Sequence, residues 1–266
     1  MSGYLNGLIN LIDELDHFGQ MGRELSLTSV AIGTLRKDKE IAKDISKLVD
    51  LETSGYGALA LSRIITEDYL HLLFLNNSGD KLTQHIENFN SHPIIDHYST
   101  MKAMLSWGYP FTEQERAIFP QIEDGFEANK DKFLRHGRTH DPFDADSYYR
   151  TWTKLNLDAL IAKTGLVEDD ESRSLHFIKE TYGSASTVIH NNAAIIWNFV
   201  NAGSDIESID EGWLSLANSV SYTNLSKLIH LTLNILNEDP NIQINHEEEL
   251  LKLEAVMDTF PAARPL

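Results

Sequence analysis

Two stretches of this chain place polar, titratable side chains at four-residue intervals inside otherwise apolar sequence. The first, residues 62–71, sets Arg63, Glu67 and His71 one helical turn apart; the second, residues 182–192, does the same with Tyr182, Ser186 and His190, and continues into Asn191 and Asn192. At about 3.6 residues per turn each trio stacks along one face of a helix. Guanidinium, carboxylate and imidazole can stabilise charge, orient a neighbour and exchange a proton, but no familiar reaction motif accompanies them. Were the chain a nuclease, His190 would exchange a proton with an attacking 2′-hydroxyl or a leaving oxygen, Arg63 would stabilise charge on the phosphate, and Glu67 would orient one of them. The amides of Asn191 and Asn192 suit phosphate oxygens or a sugar hydroxyl. The same residues also fit a structural account, with Arg63 and Glu67 as an intrahelical pair and His190 satisfied in a polar core.

Three further features bear on a site. Residues 145–163 read as a helix in which Trp152 shares a face with Tyr148, Leu155, Asn156 and Ala159, so that its indole packs inward and its N–H needs a partner. Lys130 to His140 is the densest basic segment and contains Arg135 and Arg138 around Gly137. It reads either as a solvated helix end with a turn or as a loop that holds a phosphate or a short RNA. Glu67 and His71 share a face to which His190 would add a third ligand, which makes a metal site in a bundle core an alternative. The paired Glu-x-x-His segments of a carboxylate-bridged centre do not occur, and the favoured reading uses no metal and no cofactor.

The elements that position these groups read as helices throughout. Leu5, Leu8, Ile9, Ile12 and Leu15 follow the three-four spacing of an amphipathic helix, as do Ile41, Ile45, Leu48 and Val49. From about 54 to 76 the sequence is apolar on nearly every face, the pattern of a central helix. Further helices are predicted near 81–89, 94–105, 112–134, 145–163, 170–201, 206–236 and 246–259, with breaks at Pro93, Pro110 and Pro142. Strand alternation is absent. The predicted fold is all-α, a single multi-helix bundle spanning residues 1–266, with 1–50 as a peripheral arm and 108–146 as a flap.

Composition bounds the function. The chain has 266 residues, 42% of them hydrophobic, enough for a sizeable core. It has no cysteine, which removes disulfides, thiolate metal sites and cysteine nucleophiles and fits a reducing cytosol. The N-terminal residues enter an amphipathic pattern rather than a basic and then apolar leader. The most apolar stretch, Gly57 to Leu75, is interrupted by Arg63, Glu67, Asp68 and His71, so a cytoplasmic protein without a membrane span is expected. Forty acidic against 22 basic side chains give a formal charge of −18, which argues against a broad duplex-DNA surface. Single-stranded RNA in a narrow basic cleft, or a small anionic ligand, remains compatible with it.

Arg63 with Glu67, the Trp152 segment running to Gly165 and Leu166, and Tyr182 with Ser186 and His190 occur in an order and spacing that resemble an uncharacterised, mainly bacterial all-helical family. The resemblance spans roughly Tyr56 to Asn201, and such proteins look like relatives of HEPN helical bundles. It implies an HEPN-like bundle, a metal-independent RNase working in antiviral defence, stress or toxin–antitoxin systems, and a homodimer. The HEPN ribonuclease motif sets Arg and His close together on one helix. Arg135 and His140 have that spacing across Gly137, and otherwise Arg63 and His190 would come from different helices. The expected catalytic residues are Arg63, Glu67 and His190, with Tyr182, Ser186, Asn191, Trp152, Arg135 and Arg138 binding substrate. The competing functions are a non-enzymatic ligand-sensing or protein-interaction module and, third, a metal-binding helical bundle.

Overall fold

The computed structural model of the chain describes residues 3–15, 26–144, 146–166, 178–179, 182–183 and 206–259. These are helical with no β-strand among them; one isolated antiparallel bridge joins Leu134 to Tyr148. The helices are α1 (Gly3–Leu15), α2 (Leu27–Asp50), α3 (Gly55–Asn76), α4 (Leu82–Ser91), α5 (Pro93–Ser106), α6 (Glu113–Phe133), α7 (Leu157–Lys163), α8 (Ile206–Glu238) and α9 (His246–Asp258). None of them is long and apolar enough to cross a membrane. The chain divides into two compact units, residues 1–76 with 164–266, and residues 77–163.

In the first unit α3 packs against α8 and α2, and α1 and α9 close around them. α2 starts where Ser26 and Ser29 satisfy each other's backbone N–H groups, a reciprocal cap that fixes the first turn. The buried stripe of α2 runs Ala31, Leu35, Asp38, Ala42, Ile45 and Val49, so an aspartate stands in an apolar row. α3 is buried on most of its circumference, as the near-continuous apolar run predicts. Between α3 and α8 lies a buried polar contact in which Asn224 Nδ2 donates to Thr66 Oγ1 at 2.8 Å while Thr66 donates to the Ser62 carbonyl at 2.9 Å.

The second unit has an aromatic core formed by Ile95, Tyr98, Met101, Phe111, Ile122, Phe126, Phe133 and Tyr148. The Tyr98 and Phe126 rings stack with centroids 4.0 Å apart. Pro93 occupies the first turn of α5, where its missing N–H costs nothing. Thr112 and Glu115 form the cap of α6. Gly79, Gly108 and Gly137 all have positive φ, a backbone conformation that glycine adopts without the Cβ clash of other residues.

One predicted helix is corrected. Residues 145–163 are helical only from Leu157; the described residues 146–156 are irregular. Arg135 N–H donates to the Ser147 carbonyl and Tyr149 N–H to the Phe133 carbonyl, both at 2.9 Å, which holds residues 147–149 extended beside the end of α6. Lys154 then takes a left-handed backbone, φ 61°, incompatible with continuing a helix. The Asn156 side chain accepts from Ala159 N–H at 2.9 Å and starts α7 only at that point. Trp152 is buried all the same, edge-on against Phe89 with centroids 5.5 Å apart, but it does not share a helical face with Tyr148 and Ala159.

Candidate polar site on helix α3

Arg63 and Glu67 project from one side of α3, and Arg63 Nε donates to Glu67 Oε1 at 2.8 Å. Arg63 Nη2 also donates to the Tyr182 hydroxyl at 2.6 Å, while its Cζ lies 4.2 Å from the Tyr182 ring centroid. The guanidinium is thus fixed by a carboxylate, a phenol oxygen and a stacked ring, contacts available to a planar, weakly hydrated cation and not to an ammonium. The pair is only partly exposed, 18% for the Arg63 side chain and 35% for Glu67, so its attraction is less screened than that of a surface pair. Burial and the Glu67 charge push the Tyr182 hydroxyl upward, with Arg63 opposing, so it stays a neutral phenol.

His71 lies one turn after Glu67. Burial pushes its imidazole below the usual histidine value despite the nearby charges of Asp68 and Glu67, so the uncharged ring is the favoured form at neutral pH. On the adjoining side of α3, Asp68 forms an ion pair with Lys37 of α2. Asp38, one residue on, is fully buried. Burial and the facing Asp68 carboxylate push Asp38 up to about 9.

Of the residues expected to form the site, Arg63, Glu67 and Tyr182 therefore meet. Ser186, His190 and Asn191 lie outside the described residues, as does most of the helix predicted over 170–201; residues 178–179 and 182–183 within it are helical. Trp152, Arg135 and Arg138 belong to the second unit. There the basic segment is the end of α6 followed by a turn at Gly137, with Arg138 N–H donating to the Arg135 carbonyl. Arg135 and Arg150 both approach Asp146 Oδ1, at 3.4 and 3.5 Å, and Arg138 is exposed. His140 bridges Asp131, 2.8 Å from Nε2, and the Tyr148 hydroxyl, 3.2 Å from Nδ1. Among the described residues no group of three histidine or acidic side chains is arranged to hold a metal ion.

Two features escape a reading by helical period. Asp38 and Asp68 come together only across the α2–α3 contact, although the position of Asp38 on the buried stripe was a signal in the sequence. Thr66 and Asn224 meet from helices 158 positions apart, for which no local pattern exists.

The described residues thus define an all-helical protein, one unit of which holds a partly buried, arginine-centred polar network on its central helix. The chain belongs to the DUF5677 family, a family of unknown function, whose model matches residues 28–208. No curated protein and no solved structure matches it.

Proposed function

We propose that the polar face of α3 is a phosphate-handling site and that the protein is an HEPN-like, metal-independent endoribonuclease acting on single-stranded RNA in defence or stress. The observation that supports this reading is the fixed guanidinium of Arg63. Nε and Nη2 are committed to Glu67 and Tyr182, which orients the remaining Nη1 edge as a preorganised donor for a phosphate oxygen. His190 is proposed as the group that exchanges a proton with the attacking or leaving oxygen, and Glu67 as the residue that orients it or Arg63. The cysteine-free composition adds a cytoplasmic location to the proposal, and the resemblance to HEPN bundles adds a homodimeric working form. Because Glu67 balances the Arg63 charge before any ligand arrives, a non-enzymatic module that binds a small anion without turnover is the competing reading.

The test is cleavage of total RNA by the purified full chain in EDTA, with Arg63→Ala and His190→Ala beside the wild type. Wild-type cleavage that falls on the order of 100-fold in each variant supports the ribonuclease. RNA left intact by a folded wild-type chain overturns it in favour of the anion-binding module.

A further inference from the structure

Asp38 is a carboxylic acid in the wrong company for a carboxylate. Its neighbours on the α2 stripe are Leu35 and Ala42, it has no exposed surface, and among the described residues no other side chain or backbone N–H donates to either of its oxygens. What faces it is the carboxyl of Asp68 on α3, whose charge is matched by Lys37. Two ionised carboxylates can only repel and cannot hydrogen-bond; one proton between them turns the repulsion into an O–H···O bond to an ionised acceptor, the strong kind. An isolated ionised carboxylate with no donor is too costly to bury, so protonation is the state that fits the site.

We propose that Asp38 and Asp68 form a proton-binding site that clasps α2 to α3, in which Asp38 keeps its proton at neutral pH, donates it to the Asp68 carboxylate, and releases the clasp when the proton leaves. The surrounding charges allow this. From α2, Lys37 pairs with Asp68, while Lys39 is turned to Asp13 of α1. From α3, Glu67 is held by Arg63, and His71 is uncharged. From α8, Lys227 lies over the Tyr69 ring, and just past its end Asp239 accepts from Thr28. Lys37 therefore offsets one negative charge of the pair, and the proton on Asp38 removes the need for a second cation.

The sign of the pH dependence follows. Asp38 rises in the folded chain from an ordinary 3.8 to about 9, so folding takes up a proton between those values. Its stabilising contribution is complete below 3.8 and is lost as pH climbs through about 9. His71 works in the opposite sense, because its depressed value makes stability fall as pH drops below 6.5. The Asp38 limb is accordingly read on the alkaline side of neutrality, where His71 is uncharged in both states. The clasp belongs to α2 and α3 and holds whether or not RNA is cleaved.

The experiment is an infrared titration of the full chain from neutral to alkaline pH, paired with unfolding measurements on wild type and Asp38→Asn. Asparagine donates the same hydrogen bond to Asp68 but has no proton to lose. A protonated-carboxyl carbonyl band should be present in wild type at neutral pH, fade towards about pH 9 and be absent from the variant. The wild-type folded-to-unfolded ratio should fall by up to about tenfold per pH unit over that range, more steeply than that of Asp38→Asn. No such band at neutral pH, or equal slopes in the two proteins, overturns the proposal. Should the variant not fold, the wild-type titration decides alone.

Discussion

The two compact units bury different chemistry. Residues 77–163 enclose an aromatic cluster with one buried imidazole beside it, His92, which packs on Phe133 and bonds the Tyr149 carbonyl, while Glu123, Lys102, Asp131 and Arg135 keep to the rim. Residues 1–76 with 164–266 instead admit Asp38, Thr66 and Asn224 to full burial and hold Arg63, Glu67 and His71 partly buried on their central helix. An aromatic interior gains its stability from area and dispersion and needs no fixed geometry of polar partners. A polar interior gives up part of that stability to desolvation, and recovers it only where each group finds a partner at the right distance. Chemistry is therefore better sought in the first unit, where polar groups are held at fixed geometry, than at the solvated loop of the second.

The contrast is sharpest where the two interiors are cut. Phe133→Ala removes a ring with no exposed surface from the aromatic cluster and should destabilise the second unit by about 3–5 kcal/mol in chemical unfolding. A loss below about 1 kcal/mol would mean that the cluster is not a packed core. In the first unit, Tyr182→Phe keeps the ring over Arg63 and deletes only the hydroxyl that accepts at 2.6 Å. It should cost about 0.5–1.5 kcal/mol by the same measurement, and a neutral result would show that Arg63 is held by Glu67 and the ring alone. Smallest of the three, Arg135→Ala breaks a 3.4 Å pair whose side chains are 44% and 53% exposed and should change stability by about 1 kcal/mol or less. A loss of several kcal/mol would erase the difference between rim and interior on which the comparison rests.

The helical architecture was legible because its signal is local. The three-four spacing of Leu5 to Leu15, the apolar run of α3 and the proline that opens α5 each specify an element without reference to the rest of the chain. The Arg63–Glu67 pair was legible for the same reason, since four residues on a helix is a fixed distance. Residues 146–156 were misread because their apolar spacing mimics a helical stripe. The bridge to the end of α6 and the left-handed Lys154 overrule that spacing. The local preference for helix is worth tenths of a kcal/mol per residue, less than the packing and hydrogen bonds that replace it.

What the sequence determined by itself is the class of protein and the residue types of its site: an acidic, cysteine-free, all-helical chain with polar groups stacked on an apolar helix. Those properties follow from composition and from the period of the α-helix, both of which are carried by neighbours in the chain. Only the tertiary structure decided that Arg63 meets Tyr182, that Thr66 meets Asn224, and that Asp38 faces Asp68. Which partner a buried polar group finds depends on how helices distant in sequence are packed. That packing is also what removes water and makes each partner necessary.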